Sequence, residues 1–289
     1  MGGSMKETIK LELKKAFQNK FFWISIAIGI LITFFSFFYN IKLYLDYRVD
    51  VETFMESQNP MTEMFTVFNT WIGGEPFSLG TSIYFFVFPI LIAVPYGWSY
   101  AEECRNGYRR MMIVRTGKKA YYFAKYVAVF LSGGVAMILP LLINFWMTLL
   151  IVPSICPNAE YSIYNAVFGG GFLSGLYYTV PFLFAGIYFL IDFLWCGCLA
   201  CVSMAVSGWI RQKWVSVLIP FLLLLVWDVG TKYIYSYVKG FHNELSPLYF
   251  LRYAEARYSP SGFIILLTGF FVFLVTVIGV LREYQNEIY

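Results

Sequence analysis

The chain has 289 residues, of which 59% are hydrophobic, 21% aromatic and only 13% charged. An average soluble domain is about 25% charged, so this composition excludes an ordinary soluble enzyme, a disordered regulator and a disulfide-rich secreted module. The formal net charge of +4 is dispersed along the chain and is too small to indicate nucleic-acid binding. The composition predicts an all-α membrane protein, a single bundle of helices dissolved in lipid.

The N-terminal segment is predicted to be an amphipathic helix that precedes the membrane. Met1 to Ser4 stand before a second methionine, and we interpret them as a remnant of cloning outside a single transmembrane domain of residues 5–289. Residues 5–20 carry five lysines around an apolar strip, which predicts a helix lying in the membrane interface. The strip is formed by Ile9, Leu13, Ala16 and Phe17. The alternative is that these residues are the cytoplasmic end of the first span.

Six apolar runs are each long enough to cross the roughly 30 Å hydrocarbon core of a bilayer, which takes about 20 helical residues. The predicted spans are residues 21–40, 81–100, 126–152, 186–210, 215–234 and 262–281. The fourth run is irregular, since Asp192 is the only charged residue from Phe172 to Ile210. We place Asp192 near the outer end of span four. Residues 172–190 are an extension of that span, a re-entrant segment or a seventh span, and the pattern favours six spans.

Lysine and arginine orient the first half of the chain. Residues 5–20 hold five basic residues and residues 101–125 hold seven, whereas residues 41–76 hold two against six acidic ones. Because cytoplasmic loops are enriched in basic residues, we expect a multi-pass protein of the cell membrane with a cytoplasmic N-terminus. Six spans place the C-terminus on the cytoplasmic side as well. The charges of the second half do not orient it by themselves.

The loop between the second and third spans carries the most specific pattern. A short apolar run lies between arginines, after an acidic residue and a glycine, and a lysine opens the third span. These residues are Glu103, Gly107, Arg109, Arg110, Met111, Met112, Ile113, Val114, Arg115 and Lys125. The spacing predicts an amphipathic element beneath the membrane, whereas a plain positively charged loop would need the basic residues but not their order.

With this loop the chain resembles the ABC-2 type permeases, the membrane subunits of many bacterial ABC exporters. In that family the second span is followed by an acidic residue, a glycine four residues later, an apolar stretch, an arginine-containing turn and a lysine. The residues quoted above match those positions. Residues 10–23, a basic helix leading into an aromatic triplet, are similar to the interfacial elbow helix of the family. Residues 115–119 lack the proline that the family's turn often carries.

The resemblance implies a type V exporter-like fold, with six transmembrane helices, an N-terminal elbow helix and a cytoplasmic coupling helix. It implies a second permease subunit, in a homodimer or heterodimer, and an ABC ATPase subunit that holds ATP and Mg, with no cofactor on this chain. Met111 to Val114 then form an apolar docking ridge on the ATPase. Glu103 and the arginines anchor it, and Gly107 provides the bend.

The second span is predicted to line the translocation path, because it is aromatic and contains two prolines that free backbone groups where helices line a cavity. The candidate residues are Tyr84, Phe88, Pro89, Pro95 and Tyr96. Such walls suit an amphipathic peptide, such as a toxin or antimicrobial, or else a lipid or a hydrophobic drug. An ordinary proline kink explains the same residues without transport.

No catalytic or metal site is expected on this chain. It contains no G-x-x-x-x-G-K-[ST] motif, and its single histidine, His242, excludes a zinc protease motif. Cys196, Cys198 and Cys201 would lie on different faces of one helix, where small residues serve helix contacts. Because no catalytic set is present, the alternative function is an ATP-independent membrane channel or an immunity protein.

Overall fold

A computed structural model describes residues 5–54, 64–161, 164–210, 212–238, 242–255 and 258–285. Nearly all regular structure in these residues is α-helical. The helices are α1 (Met5–Phe17), α2 (Lys20–Phe54), α3 (Val67–Thr70), α4 (Leu79–Ala93), α5 (Ser99–Arg105), α6 (Tyr108–Thr116), α7 (Lys118–Leu149), α8 (Ser174–Thr179), α9 (Pro181–Val206), α10 (Lys213–Tyr237), α11 (Pro247–Phe250) and α12 (Gly262–Gln285). A 3-10 turn covers Ala159–Tyr161, and the short strands β1 (Asn243–Glu244) and β2 (Ser259–Pro260) pair in parallel.

Five helices in the described part of the chain are long and apolar enough to cross a membrane, namely α2, α7, α9, α10 and α12. The chain is therefore a mostly helical, multi-pass membrane protein. The predicted second span differs from the others, since α4 has only 15 residues. A helix of that length is about 22 Å long, shorter than the roughly 30 Å hydrocarbon core.

Pro95 accounts for the short α4. Proline has no backbone N–H, so Pro95 cannot donate to the carbonyl of Leu91 in the next helical turn. The Ser25 hydroxyl of α2 donates to that carbonyl instead, at 2.6 Å. The helix ends at Ala93, a turn follows, and α5 begins at Ser99. Predicted span 81–100 is thus two helices joined by a turn.

The long fourth apolar run is also divided by a proline. Residues 174–179 form the separate short helix α8, and Pro181 occupies the first turn of α9, where its missing N–H leaves no helical bond unmade. The helix then continues without a break to Val206. Asp192 consequently lies near the middle of α9, rather than at the end where the sequence alone placed it, and its side chain is buried.

The packing of α7 against α9 forms the centre of the bundle. Small residues allow these two backbones to approach closely, as is typical of helices in lipid. A β-carbon at Gly134 would lie 2.6 Å from the ring of Phe193, and one at Gly197 would lie 2.8 Å from the ring of Phe130. Neither glycine could be replaced without separating the two helices.

The described helices run between two ends. We call the end that holds α1, α5, α6 and the start of α7 the basic end. Tyr122 of α7 donates to the backbone carbonyl of Glu283 near the end of α12, at 3.2 Å, and Lys213 at the start of α10 lies 5.8 Å from the ring of Trp98. The opposite end holds the connections around α3, α8 and α11. There the Asn144 side chain accepts from the Ile72 N–H at 3.0 Å.

Candidate functional site

The site begins with α1, whose inner face carries a buried acid. Thr8, Glu12 and Ala16 follow one another at a spacing of four residues, so they share one face of the helix, and all three are buried. This face packs along the first turns of α7. The buried face of α1 therefore includes the acid Glu12, which is not among the predicted site residues.

Glu12, Glu103, Lys15 and Lys125 form what we call the charged cluster. The Lys125 ammonium donates to Glu103 Oε1 at 2.7 Å and to Glu12 Oε2 at 3.0 Å. The Lys15 ammonium donates to Glu12 Oε1 at 2.7 Å. Lys125 and Glu12 side chains are fully buried, and the cluster joins α1, α5 and α7.

Tyrosine hydroxyls complete the hydrogen bonds of the charged cluster. The Tyr96 hydroxyl donates to Glu12 Oε2 at 2.8 Å and accepts from Lys125 at 3.2 Å. The Tyr121 hydroxyl donates to Glu103 Oε2 at 2.5 Å. Every charged atom inside the cluster thus has a hydrogen-bonding partner, which is the condition for burying charge without a large loss of stability.

Two ammonium groups balance two carboxylates in the charged cluster. Burial by itself raises the pKa of Glu12, but Lys125 and Lys15 outweigh that effect and lower the pKa below its usual range. Burial by itself lowers the pKa of Lys15, but the hydrogen bond and the charge of Glu12 raise the pKa above its usual range. The pair of Glu12 and Lys15 therefore stays ionised at neutral pH.

A second set of contacts, which we call the Arg109 latch, joins α6 to the last helix. The Arg109 guanidinium donates to the Tyr100 hydroxyl at 3.1 Å and lies 3.5 Å from Glu283 Oε2. The Tyr100 hydroxyl donates to the same carboxylate at 3.3 Å. Glu283 is buried and was not among the predicted site residues, since nothing in the sequence links it to a residue far earlier in the chain.

The helix α6 is bounded by two glycines and presents a mixed face to solvent. Gly107 precedes it with φ +71° and Gly117 follows it with φ +85°, both in the left-handed half of conformational space that favours glycine. Met111 is 62% and Val114 is 86% exposed, whereas Met112 is 6% exposed. Consecutive residues of a helix point in different directions, so only part of the predicted ridge faces outward.

The structure thus divides the predicted coupling residues into two groups. One group faces solvent on α6 and consists of Arg110, Met111, Val114 and Arg115. The other group is half-buried or buried and consists of Glu103, Arg109, Met112, Ile113 and Lys125. The second group holds α6 and its neighbours against the bundle. We call the first group the α6 ridge.

The predicted path residues lie in the core of the chain. Tyr84, Phe88, Pro89, Pro95 and Tyr96 are all buried. The Tyr84 hydroxyl donates to the Met137 carbonyl of α7 at 2.6 Å, and Tyr96 belongs to the charged cluster. Their part in translocation stays a prediction, because in this conformation they pack one chain together.

Metal-binding groups and thiols are the other features of the described chain that could carry chemistry. In the residues that the structure describes, no group of three or more His, Cys, Asp or Glu side chains is placed to hold a metal ion. Burial and the nearby carboxylates raise the pKa of the Cys104 thiol, and the opposing effect of Arg109 is smaller. A thiol with a raised pKa is a weak nucleophile at neutral pH.

No protein-family model, curated protein or solved structure matches this chain. The site itself is therefore the basis for a function of this chain. The site combines a surface that could bind a macromolecule with contacts that connect this surface to the bundle. The α6 ridge offers apolar and cationic groups to a macromolecule at the basic end, and the charged cluster with the Arg109 latch ties that ridge to α1, α5, α7 and α12.

Proposed function

We propose that this chain is the permease subunit of an ATP-driven exporter and that α6 is the helix that docks on a separate ATPase subunit. The observation that carries the proposal is the combination of an exposed ridge with a buried anchor. Met111 and Val114 are exposed side by side on α6, with Arg110 and Arg115 beside them. A loop that only marks the cytoplasmic side by its charge would need neither the ridge nor the anchor.

The anchor gives α6 a mechanical connection to the helices. Through the Arg109 latch, a displacement of α6 acts on α5 and on the end of α12. Through Glu103, a displacement of α5 acts on Lys125 of α7 and from there on Glu12 of α1. Charge-assisted hydrogen bonds are shorter and stronger than neutral ones, so these helices are expected to move together when the ATPase closes.

In this proposal the chain crosses the membrane six times, and α4 with the turn after it makes the second crossing. The basic end is cytoplasmic, in line with the enrichment of cytoplasmic loops in basic residues. Helix α1 is the elbow helix, since it lies beside the bundle at that end and is joined to α7 by Glu12 and Lys125.

The complete transporter would contain two permease subunits, identical or different, and two ATPase subunits that bind ATP and Mg. We propose an amphipathic peptide as the cargo, with a lipid or a hydrophobic drug as the next choices, on the aromatic character of α4. Because Tyr84 and Phe88 are fully buried within one chain, transport along α4 requires that this helix separates from α7 during the cycle.

The test is ATP hydrolysis in a complex purified through the full chain. We expect an ATPase to copurify from native membranes and the double substitution Met111→Asp/Val114→Asp to lower its copurification and turnover on the order of tenfold or more. The reason is that a well-buried interface anchor contributes more than about 1–2 kcal/mol. Met112 is left unchanged in this test, because it is a core residue and its replacement by Asp would disturb folding.

Gln18→Asp is the control for added negative charge, since Gln18 is exposed at the same end but outside α6 and gains the charge of one of the two substitutions. We expect this variant to retain the ATPase and its turnover. Full function of the purified chain in liposomes without any ATPase would overturn the proposal in favour of an ATP-independent channel or immunity protein.

A further inference from the structure

A groove of about 740 Å³ runs between α7 and α12 on the surface of the bundle. One wall extends from Lys119 to Leu131 on α7 and the other from Phe273 to Tyr284 on α12. Helix α12 is the least covered of the five long helices, with 17% of its most apolar stretch buried, compared with 33% to 56% for the others. This surface therefore meets lipid or another molecule in the membrane.

The dimensions of the groove fit the depth of one lipid leaflet. The twelve-residue step from Lys119 to Leu131 corresponds to about 18 Å along a helix, and half of a hydrocarbon core is roughly 15 Å. A single acyl chain spans one leaflet, so the groove has the length that one lipid chain needs.

Among the described residues that line the groove, the tyrosine hydroxyls of its interior already have hydrogen-bonding partners. The Tyr126 hydroxyl is hydrogen-bonded to the Thr276 hydroxyl at 2.9 Å, and the Tyr122 hydroxyl donates to the Glu283 carbonyl. The remaining lining is almost entirely hydrocarbon and aromatic ring. An occupant of this part is therefore apolar along its length.

The mouth of the groove is at the basic end and carries lysines. Lys119 lines it and is exposed, and the Lys118 ammonium lies 5.1 Å from the ring centre of Tyr284. Basic pockets between transmembrane helices are sites for anionic lipid headgroups. We propose that the groove binds an anionic phospholipid, with its phosphate at Lys118 and Lys119 and an acyl chain along α7 and α12. This assignment does not depend on the transport proposal.

The experiment measures the lipids that the purified full chain retains. The chain is equilibrated in detergent with equal amounts of phosphatidylglycerol and phosphatidylcholine of the same acyl chains, and native mass spectrometry counts bound lipids. We expect a preference for phosphatidylglycerol that falls on the order of 25-fold in Lys118→Ala/Lys119→Ala, since each of the two lysines near an anionic headgroup contributes roughly fivefold. Lys6→Ala/Lys10→Ala removes two lysines at the same end and should leave the preference unchanged.

Val277→Trp tests the apolar part of the groove, because a bulky ring at this half-buried lining position would occupy the place of the acyl chain. We expect it to reduce the retention of both lipids. An unchanged lipid preference in the lysine variant overturns the proposal, and this variant alters only surface side chains. If Val277→Trp instead breaks a dimer of the chain and leaves the lipid count unchanged, the groove holds a second copy and the proposal is wrong.

Discussion

Lys125 Nζ is enclosed by two carboxylates and a tyrosine hydroxyl, and its side chain is fully buried. An ion pair buried this deeply is stable only while both signs of charge are present, because an uncompensated charge in a low-dielectric interior is strongly unfavourable. The second ammonium, that of Lys15, contacts Glu12 and lies 3.9 Å from Glu103, so it cannot replace Lys125 fully.

We expect Lys125→Met to lower the free energy of unfolding by about 3–5 kcal/mol, the usual effect of removing one partner of a buried ion pair. Chemical unfolding in detergent, followed by tryptophan fluorescence, measures this change. Lys14→Met is the matched control, since Lys14 is exposed on α1 and should alter stability by less than about 0.5 kcal/mol. If Lys125→Met unfolds at the same denaturant concentration as the parent chain, the charged cluster does not stabilise the fold.

Some residues of the site could be predicted and others could not. Glu103, Arg109 and Lys125 stand out because their loop is short and its spacing is regular. The partners of these residues could not be predicted. Lys125 and Glu12 are 113 positions apart, and the sequence around Glu12 is also what an exposed acid on a basic amphipathic helix would have. Only the packing of α1 on α7 distinguishes Glu12 from the solvated charges beside it.

At α6 the sequence predicts the element but overstates its exposed face. Four consecutive residues of a helix, such as 111–114, point in different directions and cannot share one face. In α6 Met112 is therefore buried, while Met111 and Val114 are exposed. Helices α10 and α12 begin and end near the apolar runs that predict them. Helix α2 instead continues beyond the predicted end at residue 40 to Phe54, and α7 begins at Lys118, before the predicted start at residue 126. At Pro95 and Pro181 a missing backbone donor decides the helix boundary and hydropathy does not.

Substitutions of Gly107 test how strongly the backbone conformation at the start of α6 determines the position of this helix. A β-carbon there would meet no other heavy atom within 4 Å, and the strain of a substitution therefore comes only from φ +71°. We expect Gly107→Ala to destabilise the start of α6 by about 1–2 kcal/mol and to speed hydrogen exchange of its amides severalfold, while Gly107→Asn has a smaller effect.

Gly169→Ala is the matched control for that experiment. A β-carbon at Gly169 also meets no heavy atom within 4 Å, but this glycine does not adopt a positive φ. Its replacement should leave the exchange rates unchanged. Equal rates in Gly107→Ala and the parent chain would show that the side-chain contacts of α6, and not the backbone at Gly107, determine its position.

The packing of the described helices places basic residues of the second half of the chain relative to those of the first half. Arg282, near the end of α12, lies 5.1 Å from the ring of Trp209 in the connection that follows α9. Lys213 follows that connection and lies beside Trp98, so these basic residues belong to the same end as α1 and α6. Lys232 lies one turn before the end of α10 and pairs with Asp228 at 2.8 Å, toward the opposite end.

An even number of crossings follows if both termini lie at the basic end, and thiol labelling can measure this. Cys156, after α7, is exposed, whereas Cys104 at the basic end is half-buried. Lys10 and Gln285 are exposed near the first and last described residues. In a Cys104→Ser/Cys156→Ser background, Lys10→Cys and Gln285→Cys provide one thiol at each end of the chain.

We expect a membrane-impermeant maleimide to label Cys156 of the parent chain in intact cells, and to label Lys10→Cys and Gln285→Cys only after the membrane is opened. The reason is that the proposed topology has six crossings, by α2, α4, α7, α9, α10 and α12, which would return the chain to its starting side, although α4 alone is shorter than a bilayer. Labelling of Gln285→Cys from outside, with Lys10→Cys protected, would require an odd number of crossings and would remove α4 or another helix from the membrane. Labelling of Lys10→Cys from outside would invert the protein and place the α6 ridge where no cytoplasmic ATPase could reach it.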